Sequence, residues 1–176
     1  MSLTVQSLGR FGPPPGGIGS LTSGIKGKLG SLVVKSDVVG VLIQVLGSDQ
    51  AHKADGQIGK IAIGGSLIGD AGYVSGSIQA SGDIGPVTVK GDIAGGGGVS
   101  AGGIRSSGKI AGVTVGGSLI GGGDATHGNS GIIESSLGDL GQVTIAGDIR
   151  GGAGTYSGDV LSSTGKIAGV TLDGSL

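Results

Sequence analysis

The sequence predicts an all-β chain, a right-handed parallel β-helix (β-solenoid) of about six coils of 26–30 residues. Three observations lead there. A short glycine motif recurs along the chain: Gly64-Gly65-Ser66-Leu67-Ile68-Gly69 returns as Gly116-Gly117-Ser118-Leu119-Ile120-Gly121 and begins again at Gly174-Ser175-Leu176. An alternating aliphatic triplet stands just upstream of each copy and of the related Gly91-Asp92-Ile93 and Gly147-Asp148-Ile149. Glycine makes up 45 of 176 residues, and no window has helical periodicity. At that density glycine costs a helix about 1 kcal/mol per residue, while supplying the positive φ that tight corners need.

The first element, Leu3-Thr4-Val5, reads as the tail of an earlier unit. Residues 1–28, with Pro13-Pro14-Pro15, are expected to be an N-terminal cap, a partial coil or a linker. The repeats occupy residues 29–176, with coils starting near 29, 58, 84, 110, 140 and 167. Each start is an aliphatic: Leu29, Ile58, Ile84, Ile110, Leu140 and Ile167, spaced 29, 26, 26, 30 and 27 residues apart. Three residues on come the triplets Leu32-Val33-Val34, Ile61-Ala62-Ile63, Val87-Thr88-Val89, Val113-Thr114-Val115, Val143-Thr144-Ile145 and Val170-Thr171-Leu172. Period-two alternation points their outer residues inward and the middle one outward. A second apolar signal falls late in each unit, at Ile78, Ile104, Ile132-Ile133 and Val160, so each coil reads as two or three short strands. The run from Val38 to Leu46 departs from the repeat and reads as a buried strand in an irregular coil, with a contact surface for another chain as the alternative.

A unit of 26–30 residues is too long for hexapeptide helices or calcium β-rolls. It lacks the strand motif and the Asn or Cys ladder of leucine-rich repeats. In a parallel β-helix, Ile110, Val113, Val115 and Leu119 stack on Leu140, Val143, Ile145 and Ile149 at ~4.8 Å. Such a narrow aliphatic core leaves little room for rings, in keeping with one Phe, two Tyr and no Trp.

Two columns alternate from coil to coil. Lys28, Gln57, Asp83, Lys109, Asp139 and Lys166 change sign at every step from Asp83 on, which favours the correct register over a one-coil slip. Asp37, Ser66, Asp92, Ser118, Asp148 and Ser175 alternate acid and hydroxyl, so that each carboxylate can accept a hydrogen bond from a Ser. The duplicated unit is thus two coils long.

Composition excludes several roles. A formal net charge of −1 leaves no electrostatic footprint for nucleic acid or an anionic membrane. No apolar run is long enough to span a bilayer, and no secretory signal opens the chain. With no cysteine there are no disulfides and no Cys–zinc sites.

The candidate chemistry is sparse. Asp37, Asp92 and Asp148 form the one stacked acidic set, roughly 9–10 Å apart at two strand spacings. That separation is near the ~6.5–9.5 Å of an inverting glycosidase pair, yet no aromatic platform flanks it. A regular Asp/Ser ladder is the simpler reading. Gly151-Gly152-Ala153-Gly154-Thr155-Tyr156 starts like a calcium nonapeptide but has Tyr156 at the ligand position, and Gly121-Gly122-Gly123-Asp124 sets its acid two residues early. His52 and His127 fall in the two longest coils and lack partners at ligand spacing. Thr88, Thr114, Thr144 and Thr171 form one outward column, without the second column of a T-x-T surface. The stretch Gly95–Gly98 is not followed by the Lys-Ser/Thr of a phosphate loop. No catalytic residue, cofactor or metal ligand is assigned.

The units Gly-Gly-Ser-Leu-Ile-Gly and Ile104-Arg105-Ser106-Ser107-Gly108-Lys109-Ile110-Ala111-Gly112-Val113-Thr114-Val115 resemble the glycine-rich β-helix repeats of large bacterial surface and secreted proteins, such as adhesins and autotransporter passengers. The resemblance covers roughly residues 29–176; coil 29–57 departs from it in having less glycine. It implies export to the cell surface or beyond, great length, and a structural or adhesive role in a larger polypeptide. The expected function is therefore a non-enzymatic stalk. The rival is a carbohydrate-active β-helix domain, lyase-like or glycosidase-like, with its site outside or at the edge of these coils. The expected partners are a neighbouring domain of the same polypeptide or a second copy stacked end to end, with carbohydrate as a third candidate. The sixth unit stops at Ser175-Leu176, where earlier copies continue, so truncation and an exposed rung of Val170, Leu172 and Leu176 are expected.

Overall fold

The computed structural model describes residues 1–9, 21–48, 55–122 and 128–176. Among these residues there is no helix, and each turn of the chain adds one strand to each of three parallel sheets. The long face stacks Ser2–Val5, Ser31–Val34, Ile61–Ile63, Ile84–Val89, Ile110–Val115, Leu140–Ile145 and Ile167–Leu172 in chain order. The narrow face stacks the two-residue strands Leu8–Gly9, Val38–Val39, Leu67–Ile68, Ile93–Ala94, Leu119–Ile120 and Ile149–Arg150. The third face stacks Leu21–Lys26, Val41–Leu46, Ser77–Ala80, Gly103–Ser106, Ile132–Ser135 and Asp159–Ser162. The chain is an all-β parallel β-helix of about six turns.

The register follows the sequence frame. Leu29 bridges Ile58 and Ile58 bridges Ile84; Ile84 pairs with Ile110, Ile110 with Leu140 and Leu140 with Ile167. Val87, Val113, Val143 and Val170 form the next column, and Val89, Val115, Ile145 and Leu172 the one after. The late apolar signals Ile78, Ile104, Ile133 and Val160 also stack in register. Nearly all of these residues are fully buried, from Leu29 through Ile145. Each coil therefore contributes its aliphatics to one continuous core and needs a neighbour on each side to cover them. On the last rung Ile167 and Val170 are exposed, at 39% and 47%, because no described strand pairs with the far edge of Ile167–Leu172.

Residues 1–28 include one strand of each sheet: Leu3 pairs with Leu32, Leu8 with Val38, and Ile25 with Val45. Pro13-Pro14-Pro15 lie outside the described residues. The apolar run from Val38 to Leu46 is two strands around a corner at Gly40, whose φ of +63° suits glycine. Val38, Val41, Ile43 and Val45 enter the core, which accounts for the density of the run, and Leu46 is exposed.

The corner between the narrow and third faces carries the loops. Val74, Ser100, Asn129 and Tyr156 occupy equivalent positions there, all with left-handed φ between 51° and 60°. Two residues later come Gly76, Gly102, Gly131 and Gly158, also left-handed. At Gly102 an added Cβ would overlap the Ala94 carbonyl oxygen, so glycine is required for space as well as for φ. The loops bond to one another through the backbone, Val74 N–H to the Val99 carbonyl and Ser100 N–H to the Gly128 carbonyl, each about one coil away. Among the described residues no helix is long and apolar enough to cross a membrane.

Candidate functional site

The two alternating columns that the sequence singles out sit at the corners, where the backbone leaves a face and its amides lose their strand partners. Each such amide needs an acceptor. At the corner after the long face, the Asp/Ser column supplies one. Asp37 Oδ1 accepts from Ser66 N–H at 2.7 Å, Ser66 Oγ from Asp92 N–H at 3.0 Å, and Asp92 Oδ1 from Ser118 N–H at 2.7 Å. Ser118 Oγ then accepts from Asp148 N–H at 3.0 Å and Asp148 Oδ1 from Ser175 N–H at 2.8 Å. The first five members, Asp37 to Asp148, thus each accept from the backbone of the next coil. The bond from Ser to Asp that the alternation suggests is present, but its donor is the serine amide rather than its hydroxyl, and the hydroxyl is itself an acceptor. The glycine before each member from Ser66 on has a reason too. An added Cβ on Gly65, Gly117 or Gly174 would overlap the carboxylate of Asp37, Asp92 or Asp148.

Asp148 has a second partner, the Arg150 guanidinium, with Nε at 3.1 Å and Nη2 at 2.5 Å from Oδ2. The Ser175 amide first, and Arg150 second, hold its carboxyl below the usual carboxylate range. A general acid needs the opposite shift.

The sign-alternating column works in the same way. Asp83 Oδ1 accepts from Lys109 N–H at 3.0 Å and Asp139 Oδ1 from Lys166 N–H at 2.8 Å. The ammonium contact is looser, with Lys109 Nζ 3.9 Å from Asp83 Oδ2 and both side chains solvated, so the charge pairing adds at most about 1 kcal/mol.

Two features have no counterpart in the sequence reading. The first is a column of inward serines on the third face. Ser106 Oγ donates to the Gly82 carbonyl at 2.7 Å, Ser135 Oγ to Gly108 at 2.7 Å, and Ser162 Oγ to Gly138 at 3.1 Å. Ser106 and Ser135 are buried, and the bond to the preceding coil satisfies each hydroxyl. The recurring Ser-Ser pair, at 106–107, 135–136 and 162–163, was the signal for it.

The second is Arg105. Its Nη1 donates to the Ser100 carbonyl at 3.0 Å, its Nη2 to the Asn129 carbonyl, and its Nε lies 3.6 Å from Glu134 Oε2. The guanidinium therefore ties the corner loops of two successive coils to the third face. Burial pulls its pKa down to about 10, against the opposing pull of Glu134, so it stays charged at neutral pH.

The remaining candidates separate. Asp37, Asp92 and Asp148 share one column with a serine between each pair. Tyr156 is exposed at its left-handed corner position. Gly95–Gly98 is part of a corner loop stacked on residues 69–72. Thr88, Thr114, Thr144 and Thr171 do form one column on the long face, where Gln142 Nε2 donates to Thr171 Oγ1 at 3.0 Å. His52, His127, Gly123 and Asp124 lie outside the described residues. Among the described residues no group of three His, Cys, Asp or Glu is placed to hold a metal ion.

Fold and side chains together define a parallel β-solenoid whose corner polar groups bind coil to coil. The chain matches no family model, no curated protein and no solved structure.

Proposed function

We propose that the chain is a non-enzymatic structural segment of a larger bacterial extracellular protein, working as a rigid spacer or adhesive stalk. One observation carries this reading: the corner ladder from Asp37 to Ser175, in which each carboxylate and hydroxyl from Asp37 to Asp148 is engaged by the amide of the next coil. Those acids are committed to holding the coils in register, which is what a rigid rod needs and what a catalytic pair does not. The regular face of the rod favours length over a single site.

The test combines shape, mechanics and activity. Single-molecule pulling along the axis is expected to give stepwise release of coils at sustained force. A panel of neutral and acidic polysaccharides is expected to stay intact after prolonged incubation. Cleavage of any of them, abolished by Asp92→Asn while the fold is kept, would replace the stalk reading with an enzymatic one.

A further inference from the structure

On the outer side of the third face, Gln44, Gln79, Arg105 and Glu134 stand side by side on four successive strands, in direct register. They form the floor of a shallow groove of about 230 Å³, walled by Leu46 and by the Ser136 side of the turns. The two ends of the floor differ. Arg105 and Glu134 pair with each other, and Arg105 also donates to the Ser100 and Asn129 carbonyls and to Ser77 Oγ. Their charges cancel. Gln44 and Gln79 are half-buried, and their carboxamides make no hydrogen bond within the described residues. Two adjacent amides, each with an acceptor and two donors, are left open to whatever enters.

From this groove we infer a binding site for a neutral, hydroxyl-rich ligand of the saccharide class, gripped by the Gln44 and Gln79 carboxamides. A cancelled charge disfavours anions and cations alike. Vicinal hydroxyls offer paired donors and acceptors that match a carboxamide. The volume is below the range of drug-sized pockets and suits one or two sugar rings. A peptide is the weaker match. Peptides are captured most directly at an open strand edge, and the floor strands are paired on both sides. The axial row of side chains repeats at ~4.8 Å, so a chain of sugars lying along the groove meets a new polar group at each coil. With no aromatic in the floor, the affinity is expected to be millimolar, about −4 kcal/mol. The inference is independent of the stalk reading, because a stalk with an empty groove is still a stalk.

The experiment follows the side-chain NH₂ signals of ¹⁵N-labelled protein during titration with glucose, N-acetylglucosamine and cellobiose, with tri-alanine as a probe of the other class. Saturable shifts of Gln44 and Gln79 with a neutral sugar are expected. Tighter binding of the disaccharide identifies a glycan chain, and equal binding a free sugar. Gln79→Ala is expected to weaken binding at least tenfold while the long-face amide signals stay in place. Absence of saturable shifts through the millimolar range overturns the inference. So do shifts with tri-alanine alone, or sugar binding that survives both Gln44→Ala and Gln79→Ala.

Discussion

Replacing Val115 by Asp and, separately, its neighbour Thr114 by Asp tests the inside–outside phase of the long face. Val115 is fully buried between Val89 and Ile145, while Thr114 is exposed between Thr88 and Thr144. A carboxylate at 115 meets aliphatic side chains above and below and no hydrogen-bond donor. Burying an unpaired charge costs several kcal/mol even after relaxation, on top of about 2 kcal/mol for the lost methyl packing. A domain with about 5–15 kcal/mol of total stability does not survive that. Thr114→Asp loses strand propensity and one Thr contact, up to about 1 kcal/mol. For a chain of this size that is roughly 2–4 °C in melting temperature. Far-UV circular dichroism melts of both variants, with Val115→Ala as a folded control expected to lose about 2–3 kcal/mol, give the comparison. Equal losses at 114 and 115 would refute the phase.

The other predictions concern the corners. Asp92→Asn keeps an acceptor oxygen and is expected to be nearly neutral, whereas Asp92→Ala strands the Ser118 amide, costs about 1–3 kcal/mol and speeds hydrogen exchange at Ser118; indistinguishable melts and exchange rates would remove the ladder from the account. Arg105→Ala frees two loop carbonyls and leaves Glu134 unpaired, an expected loss of about 3 kcal/mol, and Arg105→Lys recovers only part of it because an ammonium does not span both carbonyls. Because the folded Asp148 carboxyl is held below its unfolded value, its stabilisation is present above pH ~4 and is lost as pH falls through the folded value. Asp148→Asn should therefore flatten the acid limb of the melting profile and leave its neutral region in place; an unchanged acid limb contradicts the assignment.

The core was legible in the sequence because a solenoid repeats its inward residues at one position per coil. Leu29, Ile58, Ile84, Ile110, Leu140 and Ile167 are a column in the text before they are one in space. The Asp/Ser alternation was legible for the same reason, but its chemistry was only half so. Sequence displays side chains, and the donors at Ser66, Asp92 and Ser118 are backbone amides, freed by corner geometry. Arg105 escaped notice because the groups it binds, the Ser100 and Asn129 carbonyls, leave no trace in residue type. Its one written clue was an opposite charge at the equivalent position of the next coil, Glu134, the only glutamate in the chain. The strand Leu21–Lys26 was hidden in a segment read as a cap, partial coil or linker, since Leu21, Thr22 and Ser23 lack the aliphatic alternation of later coils.

The central claim is that each repeat adds one rung to a parallel stack. Since the chain has no cysteine, spin labels can be placed at will on the outward long-face column by Thr4→Cys, Ala62→Cys and Thr171→Cys. Thr4 and Thr171 lie six strand spacings apart and Ala62 and Thr171 four, so pulsed dipolar spectroscopy is expected to read backbone separations of about 29 Å and 19 Å, in proportion to the number of coils. A distance between labels at 4 and 171 no longer than that between 62 and 171 would contradict the solenoid.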